Sequence, residues 1–138
     1  MDREPDVRGF VEDRIYNFLR PEVSEVVKIY RGSRPRNEDP DYFISILVEN
    51  ERENMPGDNH WILDVSVVLA VSIYERSSRE HAAFRTELRK ALMAIQDVTN
   101  VAYPDEGYWY GAYVSVVESA NRAKTYGDIF RLEVRARV

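Results

Sequence analysis

From Trp61 to Tyr74 the chain alternates without a break: Trp61, Leu63, Val65, Val67, Leu69, Val71 and Ile73 take one parity. Ile62, Asp64, Ser66, Val68, Ala70, Ser72 and Tyr74 take the other. Successive side chains of a strand point to opposite faces, so one face is a continuous apolar wall and the other is mixed, polar at its start. At about 3.3 Å per residue the run spans roughly 45 Å, against roughly 17–20 Å for a common strand. A strand that long must bend, or reach past its own domain toward a neighbour. It points to an antiparallel sheet built for assembly rather than for a catalytic pocket.

The remaining segments arrange themselves around that strand. Val7, Phe10, Val11, Ile15, Phe18 and Leu19 recur at helical spacing, and Pro5 and Pro21 bound a helix from about Pro5 to Leu19. Val23 to Arg31 reads as a strand, and residues 32–40, with two prolines and a glycine, as a loop. Tyr42, Ile44, Ile46 and Val48 alternate along a second strand, and Pro56-Gly57 marks the turn into the long one. Ser77 and Glu80 fit a capping box at the start of a second helix, whose stripe is Phe84, Leu88, Ala91, Leu92 and Ile95. Phe84, Leu88 and Leu92 are expected to pack on the apolar face of Trp61 to Ile73. After Pro104-Asp105-Glu106-Gly107, Trp109 to Ser119 is a strand, Asn121 to Asp128 a polar turn region, and Ile129 to Val138 a final alternating strand. The fold class is α+β, in the order α-β-β-β-α-β-β: an antiparallel β-sheet with two helices packed on one face. No internal repeat interrupts it, so residues 1–138 are expected to form a single domain.

Composition limits what such a domain can do. No stretch approaches the roughly 20 apolar residues that span a bilayer, and the first residues lack a basic-then-apolar leader, so neither a membrane nor a secretory route is expected. The absence of cysteine excludes disulfides and thiolate metal sites. A net charge of −5 argues against broad nucleic-acid affinity. Charge is unevenly placed, however. Arg31, Arg34 and Arg36 crowd one segment, while Glu49, Glu51 and Glu53, with Asp58, crowd another. These are either solvated loop charges or complementary surfaces between neighbouring copies.

Catalysis finds no support. The two histidines, His60 and His81, stand in a loop and in a first helical turn, where surface positions are the ordinary reading. No phosphate loop, nucleophile elbow or metalloprotease signature is present, so no catalytic residue, metal or cofactor is expected. The other concentration is aromatic: Tyr103, Tyr108, Trp109, Tyr110 and Tyr113. One strand face of these rings belongs to a core, and the rest to an interface, with Tyr108, Trp109 and Tyr110 as candidates. Asp105 and Glu106 beside them disfavour a nucleic-acid platform.

The N-terminal helix, the long strand Trp61-Ile62-Leu63-Asp64-Val65-Ser66-Val67 running into Ser77-Ser78-Arg79-Glu80, and the closing alternation Arg131-Leu132-Glu133-Val134-Arg135 together resemble the tail terminator (tail completion) proteins of long-tailed bacteriophages. The resemblance is one of element order along most of the chain. It implies a structural, non-enzymatic protein that forms a ring, commonly hexameric, capping the tail tube and ending its polymerisation. It further implies three partners: further copies of the chain, the tail tube protein and a head–tail connector protein. The place would be the head-proximal end of the virion tail, assembled in the host cytoplasm. DNA would pass without specific binding through a lumen lined by Glu49, Glu51, Glu53 and Asp58, and Arg31, Arg34 and Arg36 would meet partners. Another neck or connector protein, or a small-ligand or enzymatic α+β domain, are the alternatives; the last needs a deep pocket with converging polar groups.

Overall fold

The computed structural model describes residues 7–25, 27–32, 42–54, 62–74, 78–119 and 125–138. Helix α1 is Val7–Leu19 and α2 is Ser78–Asp97; the strands are β1 Lys28–Arg31, β2 Tyr42–Asn54, β3 Ile62–Tyr74, β4 Val101–Tyr103, β5 Gly107–Ser119 and β6 Thr125–Arg137. They form a six-stranded sheet in the order β1-β2-β3-β6-β5-β4. All neighbours are antiparallel except β1 and β2, which run parallel. The α+β class therefore holds, with a short parallel strand added at one edge. Trp61, Ser77 and the prolines at 5, 35, 40 and 56 lie outside the described residues.

The four central strands are each 13 residues long. β3 is paired along its length to β2 on one side and β6 on the other, so its unusual length is used inside the domain. Sheets of such long strands twist and bend, and bulges provide the bend. They occur in the two outer long strands: at Glu49 in β2, and at Tyr110 and Ser115 in β5.

One sheet face carries the core. Ile44 and Ile46 of β2, Val67 of β3, Trp109 of β5, and Phe130, Leu132, Val134 and Ala136 of β6 are all buried. Phe10, Val11, Ile15 and Leu19 of α1 and Phe84, Leu88, Ala91, Leu92 and Ile95 of α2 close over them. The stripe expected for α2 is the buried one, but the helix rests on β5, β6 and α1 rather than chiefly on β3. Two elements share the roof of a sheet this wide, and α1 takes the side over β1 and β2.

The stretch after α1 departs from the expected strand. Residues 20–25 turn instead, and the Arg20 guanidinium donates to the carbonyls of Ser24 (2.6 Å) and Val27 (2.8 Å). The Ser24 amide donates in turn to Glu87 of α2 at 2.7 Å. Val23 and Val27 are buried as turn residues, so their β-branching reports burial and not a ladder. β4 is the element that sequence periodicity does not reveal. It is three residues long, and its hairpin to β5 closes through Pro104 and Asp105, with the Glu106 amide on the Tyr103 carbonyl at 3.0 Å. Asp105 takes φ 64°, the positive value that the third position of a type II turn requires.

Candidate interaction surfaces

Alternation along β5 sorts the aromatic cluster. Trp109 is fully buried: its ring meets Phe18 edge-on at 5.3 Å and its Nε1 donates to the Val98 carbonyl at 3.1 Å. It therefore leaves the set of candidate interface rings. Tyr108 and Tyr110 lie on the helix-free face with centroids 4.6 Å apart, and Arg137 sits 5.5 Å from the Tyr108 ring. Tyr113 is 58% exposed. A groove of about 560 Å³ runs past Asn100, Tyr110, Gly111, Tyr113 and Arg135 at this side of the sheet.

The charged segments separate in the same way. Arg31, at the end of β1, is held inside the monomer: it bonds Asp13 and lies 4.6 Å from the Tyr16 ring. Arg34, Arg36 and Asp58 lie outside the described residues. Glu49 is the bulged residue of β2 and bonds Arg131 of β6 at 2.6 Å, reaching across β3. That carboxylate raises the pKa of Arg131 through its hydrogen bond and its charge. The bulge resets the alternation of β2 before Glu51 and Glu53, which stand opposite Val65 and Leu63.

Two polar groups that sequence reasoning passed over are built into the interior. Asp128 is 1% exposed, on the same parity of β6 as Phe130, Leu132 and Val134. His81 Nε2 lies 2.6 Å from its Oδ2, and Arg85 Nε lies 3.7 Å from its Oδ1. His81 is thus a half-buried partner of an interior carboxylate and not a freely exposed residue; its side chain is 12% exposed. A carboxylate on the apolar parity of the last strand is the signal, hidden because residues 121–128 read as a turn. Arg14 likewise leans from α1 over the Tyr103 ring at 4.4 Å and reaches Glu106 at 3.6 Å, tying the β4–β5 hairpin to the helix.

These contacts set opposite charges beside one another and tie elements together. Among the described residues no group of three or more His, Asp or Glu side chains is placed to hold a metal ion. No helix among them is long and apolar enough to cross a membrane.

The fold places the chain in a structural class. Over 98% of its length it superposes on the whole of a chain from the virion of a native gene transfer agent particle, with a TM-score of 0.72 at 12% identity. Over 99% of its length it also superposes on 58% of a sheath/tube terminator from an extracellular contractile injection system (PVC) in the extended state, with a TM-score of 0.62 at 10% identity. No family model matches the sequence, and no curated protein matches it by sequence. The chain thus has a tail-terminator-like fold, shared with components of phage-like particles. At these identities the likeness is one of fold.

Proposed function

We propose that this protein is a structural component of a phage tail or tail-like particle. In this reading it forms a homo-oligomeric ring, hexameric as in the family it resembles, at the head-proximal end of the tail. The ring caps the tube, ends its polymerisation and offers the surface to which the head connector joins. The observation that carries the reading is the end-to-end superposition on a gene transfer agent virion chain, supported by the likeness to a sheath/tube terminator. The polar groups fit it too: the described ion pairs hold elements together instead of lining a reaction site.

Within that reading, Tyr108 and Tyr110, with Tyr113, serve contacts between subunits or with the tube. Arg34 and Arg36 remain candidates for such contacts, whereas Arg31 is already engaged by Asp13. DNA passes the ring without specific binding. The acidic lining rests on Glu51, Glu53 and Asp58 more than on Glu49, whose charge Arg131 offsets. Assembly takes place in the host cytoplasm.

Electron microscopy of intact particles tests this. The expected image is one ring of this protein at the tail end nearest the head. Its distribution along the tube, or its absence from particles, would sink the proposal. A ring elsewhere in the neck would favour the connector alternative.

A further inference from the structure

Among the described residues, the two outer long strands are each covered over only part of their length. β1 pairs with β2 only from Phe43 to Ile46, and β4 pairs with β5 only from Gly107 to Trp109. Among the described residues, Leu47–Asn54 of β2 and Gly111–Ser119 of β5 have no outer strand partner. The open stretches are of nearly equal length and lie at opposite ends of the sheet. Unpaired edges are templates for another strand, and monomeric proteins usually blunt them with Lys, Pro or charge. The open part of β5, Gly-Ala-Tyr-Val-Ser-Val-Val-Glu-Ser, contains no Lys or Pro and a single charge, Glu118. It also holds Tyr113 (58% exposed) and Val117 (39% exposed).

The direction of its outward groups follows from the ladder. The Val114 amide donates to Gln96 Oε1 at 2.8 Å, so it points away from β6, and the Val114–Leu132 pair is a non-hydrogen-bonded one. Alternation along β6 makes Phe130 the next such position, and its partner is Val117. The Val117 amide and carbonyl therefore point outward from the sheet edge. Gln96 occupies one outward donor; beyond it no strand among the described residues pairs with the edge.

The geometry points to strand addition between copies: the open edge of β5 in one subunit pairs with the open edge of β2 in the next. Successive antiparallel pairings make β2 and β6 run one way and β3 and β5 the other. Rotation about an axis to which the strands are tilted by less than a right angle keeps the sense of each strand along that axis, so β5 meets the next β2 antiparallel and the alternation continues through every subunit. A heterologous contact of this kind closes into a ring when its rotation divides a full turn. β1 and β4 act as stops that set the register. Because they cover opposite ends, neighbours are offset along the strands, the stagger that a closed barrel of tilted strands needs. The groove beside Gly111 receives side chains of the incoming strand.

This inference rests on the ring reading, and the experiment separates the two. The full-length protein is assembled alone at high concentration or on isolated tail tubes, and its amide hydrogen exchange is compared with that of dilute protein. Assembly should slow exchange at least about tenfold in both 112–119 and 47–54. Val117→Pro removes an outward donor while sparing the β5–β6 ladder, because edge positions tolerate proline. It should raise the concentration for half-assembly by about tenfold or more, with the melting temperature checked against the parent. Val117→Lys, which keeps the amide but adds an edge charge, is the second variant should the proline chain fail to fold. Rings that form with unchanged exchange at both edges, or at the parental concentration in both variants, overturn the edge pairing and leave the ring reading standing. Protection of 112–119 without 47–54 overturns the assignment of a second copy as the occupant. Absence of any ring, alone or on tubes, overturns both.

Discussion

His81→Ala tests whether the interior of this fold depends on a held charge. Asp128 is 1% exposed and rests on two cationic or donor groups, His81 at 2.6 Å and Arg85 at 3.7 Å. Taking away one partner of a buried pair costs roughly 3–5 kcal/mol, mostly because the other group stays buried without compensation. Here Arg85 remains near the second carboxylate oxygen, and opening the His81 position admits some water. The expected loss is therefore smaller, about 2–4 kcal/mol. For a domain of this size that lowers the melting temperature by about 8–15 °C. Asp128→Asn keeps the shape and removes the charge, so it should cost less than His81→Ala. The decisive quantity is the coupling in the double-mutant cycle, measured by urea unfolding of the four proteins at one pH. A coupling of about 1 kcal/mol or more is expected, since each single change already removes the contact between the His81 ring and the Asp128 carboxylate. Additive single effects, or a His81→Ala midpoint equal to the parent, would falsify the held-charge account.

Two further substitutions probe packing. Gly107→Ala places a methyl 2.5 Å from the Arg137 carbonyl oxygen and 3.2 Å from two carbons of the Phe10 ring, so β6 and α1 must both yield. Calorimetry should show a loss of about 1–3 kcal/mol, and an unchanged melting temperature would mean that this corner relaxes freely. Leu88→Ala empties a fully buried position of α2 and should cost about 2–5 kcal/mol in urea unfolding; a value under about 1 kcal/mol would show that the helix face is not packed as described.

Much of the architecture was legible because it follows from local rules. The period-two run of residues 62–74 and the stripe Phe84, Leu88, Ala91, Leu92, Ile95 can satisfy one face only as a strand and a helix, and both elements are present. Alternation also separates Trp109 from Tyr108 and Tyr110, although nothing in the sequence says which parity goes inward. The candidate surface was less legible. Arg31 has a charge pattern that suits a partner, yet its partner is Asp13, 18 positions earlier in the same chain.

What the sequence determined by itself is the two helices, the four long strands and the α+β class, because helix and strand periods are properties of neighbours a few residues apart. Tertiary structure alone decided four things: that β1 joins the sheet in parallel, that three residues after α2 become β4, that α2 lies over β5 and β6, and that Asp128 is enclosed with His81 and Arg85. Each is a contact between segments far apart in the chain. Such contacts are selected by which surfaces can be covered together, and no window of the sequence contains both sides of that choice.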